Sequence, residues 1–142
     1  MPGRVVRYGV RLIASVYVVI GVLGFIPVDV LNPPHDHGTG VRYLLHLIAV
    51  NAPHSLFHLV IGVTGLWASR TTAGARLWGV LAGTVLLVLF FAGMVQAALQ
   101  GFPPDQSLLG LIPLNSPGHV LHAISGGAAL YLGVCRLRGN LA

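Results

Sequence analysis

Scarcity of charge is the tightest constraint on this chain. Eight arginines and three aspartates are its only formally charged residues, and they leave long apolar stretches between them. Leu12 to Val28 carries no charge, and Arg11 can snorkel toward water, so the run reaches the roughly 20 residues a bilayer core requires. Soluble domains carry about a quarter charged residues. With 8% charged and 55% hydrophobic residues, a water-soluble fold here would lack the polar surface to stay dispersed. The expectation is an all-α protein, multi-pass in the cell (plasma) membrane, with the lipid bilayer as its first partner.

Four transmembrane helices are expected, at about 8–27, 52–69, 77–99 and 116–135, forming one domain over 1–142. Between the first two lies a loop, Asp29 to Gly40, with Pro33-Pro34 and His35-Asp36-His37. Residues 41–50 are apolar but too short to cross, so they are expected in the interface, with Arg42 and His46 on one helical face. Asn51 is a good N-cap, and Pro53 is tolerated in a first turn whose amides are unpaired anyway. Arg70 to Arg76 reads as a turn, and Gly101 to Leu114 as a second long loop. Gly79 and Gly83 give the third span a small-xxx-small face.

The arginines set the orientation. Arg4, Arg7, Arg11, Arg70, Arg76, Arg136 and Arg138 fall on one side of this layout, and only Arg42 on the other. By the positive-inside rule the first side is cytoplasmic, with both termini there and Trp67, Trp78 and Tyr131 as an aromatic belt. Arginines at span ends are topology signals, so no nucleic acid is expected as a partner. The basic start and the apolar run after it lack a small-x-small cleavage site and read as an uncleaved signal anchor. Cys135, the single cysteine, excludes an intrachain disulfide and paired-cysteine metal motifs, and reads as a small hydrophobe near a helix end.

The chain also repeats itself. Asn51-Ala-Pro-His-Ser-Leu-Phe-His58 returns in diluted form as Asn115-Ser-Pro-Gly-His-Val-Leu-His122. Asn51 matches Asn115, Pro53 matches Pro117, His58 matches His122 and Gly62 matches Gly126, all at an offset of 64. Gly24-Phe25-Ile26-Pro27-Val28-Asp29 and Gly101-Phe102-Pro103-Pro104-Asp105 close the first and third spans alike. Two span-loop-span hairpins in tandem are expected, with the second and fourth spans parallel.

All seven histidines (35, 37, 46, 54, 58, 119 and 122) and all three aspartates (29, 36 and 105) fall in the outer half of this layout. His54 and His58 are i and i+4, and His119 and His122 are i and i+3, so each pair shares a helix face. His58 and His122 each lie seven residues past their asparagine, about 10 Å deeper at 1.5 Å per residue. Gly62, Gly65, Gly126 and Gly127 follow one turn below, allowing close helix approach or room for a bound group. The metal-ligand candidates are therefore His54, His58, His119 and His122. Neutral imidazoles suit zinc, copper, nickel or iron, and a haem held by His58 and His122 is a further option. The helical His-x-x-x-His lacks the glutamate of the metalloprotease motif, there is no glutamate in the chain, and no catalytic set is assigned. Gln96 and Gln100 read as interhelical glue.

The Gly-Phe-Ile-Pro end of the first span, Asn51-Ala-Pro-His54-Ser-Leu-Phe-His58 with Gly62 and Gly65, and Asn115 with His122 and Gly126 resemble a known family. It comprises small bacterial four-helix membrane proteins catalogued only as a domain of unknown function. The resemblance spans nearly the whole chain and implies the fold, but no activity.

Two functions from different classes follow. One is a non-enzymatic binding protein holding a transition metal, or a haem, in an outer-leaflet histidine site. The other is an accessory subunit of a larger membrane complex, or a homo-oligomer, packed through glycine-rich faces with the histidines as hydrogen-bond partners between helices. A small enzyme acting on a lipid or quinone is a third and weaker option.

Overall fold

A computed structural model describes residues 2–26, 40–100, 106–108 and 111–135. The described chain is mostly helical: α1 (Gly3–Gly24), β1 (Arg42–Leu44), β2 (Ile48–Val50), α2 (Ala52–Ala68), α3 (Thr72–Gln100), β3 (Gln106–Leu108), β4 (Ile112–Leu114) and α4 (Ser116–Val134). Helices α1 and α3 are long and apolar enough to cross a membrane. Along α1 the buried positions Val6, Val10, Ala14, Tyr17 and Gly21 recur every three or four residues, one face of a helix. Leu12, Val16 and Val19 point outward, so the helix is apolar on both faces.

Both asparagine caps form as the sequence indicates. Asn51 and Asn115 are extended, their side-chain oxygens accept from the amides of His54 and Gly118, and a proline sits in each first turn. α3 starts earlier than its expected Leu77. The Thr71 hydroxyl accepts from the amide of Gly74, a serviceable N-cap, and this draws most of the expected Arg70–Arg76 turn into the helix.

Residues 41–50 correct the expectation of a helical interfacial segment. They form an antiparallel hairpin pairing Arg42 with Val50 and Leu44 with Ile48. Leu45 and His46 turn the chain with φ of 52° and 60°, so Arg42 and His46 do not share a helix face. A ten-residue apolar stretch cannot span, but as a hairpin it pairs its own backbone groups and delivers Val50 directly to the Asn51 cap. The expected second loop holds a matching hairpin, in which Gln106 pairs with Leu114 and Leu108 with Ile112. Each of these positions lies 64 residues after its counterpart in the first hairpin.

α1 packs antiparallel on α2, and α3 antiparallel on α4. Arg7 near the start of α1 donates to the carbonyl of Ser69 at the end of α2 (3.0 Å), and Arg11 donates to the Ser69 hydroxyl (3.1 Å). Arg76 near the start of α3 donates to the carbonyls of Gly133 and Cys135 at the end of α4 (3.4 and 2.9 Å). Cations there satisfy carbonyls that a helix C-terminus leaves open. Glycines set the distance between helices. A Cβ on Gly62 would lie 2.6 Å from the Val18 amide of α1, and one on Gly126 3.1 Å from Leu86 Cβ of α3. Gly79 and Gly83 meet Ala129, Leu130 and Gly133 of α4, so that small-residue face lies inside the bundle.

Matched by contacts, the two first helices correspond at an offset of 69: Arg7 with Arg76, Val18 with Leu87, and Gly24 with Gly93. The sequence motifs Pro27–Asp29 and Gly101–Asp105 lie outside the described residues, as do His35, Asp36, His37, Arg136 and Arg138.

Trp67 and Tyr131 are exposed, but Trp78 is only 7% exposed. Its indole fills the slot left by Gly65, donates to Thr64 (3.2 Å), and joins a core of Val6, Val10, Ala82, Ala129 and Leu132. Trp78 is therefore a core residue rather than part of a belt. Cys135 is a half-buried free thiol at the C-cap of α4.

Candidate metal centre

The two hairpins and the starts of α2 and α4 meet at one end of the bundle, opposite the Arg7, Arg11 and Arg76 contacts. They are joined by a crossed pair of bonds. The Asn51 amide donates to the carbonyl of Leu111 in the second hairpin turn, and the Asn115 amide donates to the carbonyl of Leu47 in the first, each at 2.7 Å. Leu47 and Leu111 are again 64 apart. Each asparagine thus caps its own helix with its oxygen and holds the other half's turn with its nitrogen. The crossed bonds tie the starts of α2 and α4 together at this end of the bundle.

Immediately below, His54, His58 and His122 converge. Each offers one ring nitrogen within 4.8 Å of the others, and all three are at most 1% exposed. Ring centroids are 4.3 Å apart for His54 and His58, and 5.9 Å for His122 to either. His54 Nδ1 lies 3.2 Å from the Ala49 carbonyl. A carbonyl only accepts, so Nδ1 carries the proton and Nε2 keeps its lone pair, the arrangement that orients metal-bound imidazoles. His54 Nε2 and both nitrogens of His58 and His122 have no hydrogen-bond partner among the described residues. Five buried ring nitrogens without partners are unusual, because native interiors satisfy nearly all such groups.

His119, the fourth candidate ligand, lies outside this group. Its ring packs on Gly93 of α3, where a Cβ would overlap Cε1, and sits 6.3 Å from the Phe90 ring. His46 is in the first hairpin turn, away from the converging three. Sequence reasoning did not single out Tyr17 and Ser125. The fully buried Tyr17 ring stands edge-on to His58 at 5.1 Å, and its hydroxyl lies 2.7 Å from Ser125 Oγ. Ser125 donates to the Leu121 carbonyl, so Tyr17 is the donor between them. Both are polar residues within apolar helices, a pattern that asks for a partner on another helix. This pair lines an apolar cleft of about 470 Å³ between α1 and α4.

Chemically, three neutral imidazoles make a nitrogen donor set for zinc, copper, nickel or iron. A tetrahedral ion with bonds of about 2.0–2.1 Å wants its nitrogens about 3.3 Å apart. The three nitrogens lie within 4.8 Å of one another, so the widest gap would have to close by about 1.5 Å to hold such an ion. No nucleophile–base pair accompanies the histidines among the described residues, and all three aspartates lie outside them.

No curated protein and no solved structure matches the chain. A family model described as Domain of unknown function (DUF4383) matches residues 7–135, and with nearly the whole chain covered, the protein belongs to that family.

Proposed function

We propose that this protein is a four-span plasma-membrane protein, arisen by tandem duplication of a two-helix unit, that binds one transition metal ion through His54, His58 and His122. The observation that carries this reading is the converging, fully buried triad with five ring nitrogens lacking partners. An ion takes a lone pair from each imidazole and relieves part of the penalty for burying them without protein partners. A ligand-free fold lock would need the histidines bonded across helices, yet the asparagines do that work and the inner nitrogens of His58 and His122 stay unpaired.

Several features support the four-span layout. Leu66, Val60, Leu81, Val88, Val120 and Ile124 are outward-facing apolar residues on α2, α3 and α4, a surface suited to lipid. The 64-residue match of caps, hairpins and crossed bonds supports the duplication. With the arginine end cytoplasmic, the triad sits near the outer face and both termini are inside. Haem is less favoured than a bare ion, because α1 and α3 already occupy the space beside Gly62, Gly65 and Gly126. Gly62, Gly65, Gly79, Gly83 and Gly126, which could dock a larger membrane complex, face neighbouring helices within the bundle, while Gly127 stays open.

The test is elemental analysis of the protein purified in mild detergent, beside a His58→Ala, His122→Ala double variant. One metal per chain, lost in the double variant, is the expected result. A folded wild-type protein that stays metal-free after incubation with zinc and copper would refute the reading.

A further inference from the structure

We infer that the metal centre keeps one coordination position open beside Gly118, and that this position takes a small exogenous donor of the hydroxide or azide class. The inference rests on the metal reading above and specifies what the site binds besides the ion.

The two helix entrances are asymmetric. Asn51, Pro53, His58 and Gly62 have identical residues 64 positions on, but the counterpart of His54 is Gly118. The two occupy the same backbone seat. The amide of His54 donates to its asparagine cap at 2.9 Å, and the amide of Gly118 to its own at 3.1 Å. His54 shares a helix face with His58 four residues later, and Gly118 shares one with His122 in the same way. A side chain at position 118 would therefore start toward the triad, as that of His54 does.

Space is present there. Gly118 is buried, yet a Cβ built on it meets only the Asn115 side-chain oxygen, at 3.2 Å, within 4 Å. Gly62, Gly24 and Gly93 differ, since a neighbouring helix or side chain presses into each. His119, the next residue, directs its ring to Gly93 and leaves position 118 without a donor. Structural zinc-type sites take four protein ligands, whereas three plus an open position mark centres that exchange an outside ligand. Three buried histidines beside an unfilled glycine have the second form. The room shown at position 118 is that of a methyl group, so the ligand is small, and the centre is cationic, so an anionic donor is favoured.

The experiment uses the full chain in detergent, loaded with copper(II) and titrated with sodium azide. Wild-type protein should show an azide-to-copper charge-transfer band that saturates at one azide per copper. Gly118→His should place a fourth imidazole in the open position, retain copper, and bind azide at least about tenfold more weakly. If that variant does not fold, Gly118→Asp supplies a shorter donor for the same comparison. Copper bound by the triad without any azide band overturns the open position and leaves the metal reading standing. An azide affinity unchanged in the folded, copper-loaded Gly118→His or Gly118→Asp variant overturns its location. Failure of copper and zinc alike to bind the wild type removes both readings together.

Discussion

The two halves of this molecule solve the same construction problem with almost the same parts, and they part company around the histidines. In each half a hairpin feeds an asparagine cap, the cap holds the other half's turn, and an arginine from the first helix closes the end of the second. The differences are local. Tyr17 is matched by Leu86, His54 by Gly118, Ser55 by His119, and Ile61 by Ser125, at the offsets of 69 in the first helices and 64 elsewhere. Capping and packing are shared by the two halves, while the histidine cluster depends on a few positions where the halves differ. His58 and His122 are common to both halves, and His54 makes the pair a triad.

The largest expected effect tests that triad. His58→Leu, His122→Leu and His54→Leu should each reduce bound metal from one per chain toward background, whereas His119→Leu should leave it unchanged, as metal analysis would read. Stability should separate loaded from empty protein. At metal a hundredfold above its Kd, the wild type gains about 2.7 kcal/mol. Metal-free His122→Leu should be no less stable than metal-free wild type, because removing unsatisfied buried nitrogens offsets the lost ring contacts. A sharp loss of stability in metal-free His122→Leu would mean the imidazole has a structural partner after all.

A second comparison uses equivalent glycines. In Gly62→Ala the new Cβ meets backbone, the Val18 amide at 2.6 Å and the Ala14 carbonyl at 2.7 Å, so α1 must move away from α2. Overpacking of that kind costs about 1–3 kcal/mol. In Gly126→Ala the new Cβ meets side-chain carbons of Leu86 and Leu87 at 3.1 Å and the Gly83 carbonyl at 3.2 Å, all farther than the contacts at Gly62, and the loss should be about 1 kcal/mol. Gly127→Ala meets nothing within 4 Å and should be neutral. Equal losses at 62 and 126 in denaturation series would contradict the closer approach of the first pair.

Much of this was legible in the chain. The Asn-x-Pro entrances, the four helices and the shared face of His54 and His58 follow from spacing and capping, but the same spacing rule set His119 beside His122, and its ring turns to Gly93 instead. The hairpins were not, for a physical reason. Leu45-His46 adopts left-handed φ values without glycine or asparagine, so the turn has no local signature, and a ten-residue apolar run reads equally as helix or strand. The burial of Trp78 depends on the slot at Gly65, and the seat of His119 depends on Gly93, contacts between residues 13 and 26 positions apart that no periodicity reveals. The motif Gly24-Phe25 drew attention to Gly101-Phe102, but packing pairs Gly24 with Gly93, because α3 continues to Gln100 beyond the point where α1 stops.

The crossed asparagines should show smaller and nearly equal effects. Asn51→Ala or Asn115→Ala removes a cap, worth about 0.5–2 kcal/mol, and leaves one turn carbonyl to find another donor. Because each bond ties one half to the other, the double variant should cost more or less than the sum of the singles, a coupling that a double-mutant cycle measures. Strict additivity would show the two bonds to be independent caps rather than one latch.

Tyr17→Phe should have a small effect, and it addresses the least symmetric contact. The hydroxyl donates to Ser125, whose own proton already goes to the Leu121 carbonyl. Its removal therefore strands no donor on Ser125, and the loss should be at the lower end of a hydrogen bond, about 0.5–1 kcal/mol. The phenyl ring keeps the edge contact with His58, so metal content should not change. If Tyr17→Phe did lower metal affinity, the hydroxyl would have to act on the imidazoles through a route other than Ser125. The first half would then contribute three groups to the centre instead of two, and the divergence between the halves would run through α1 as well as α2.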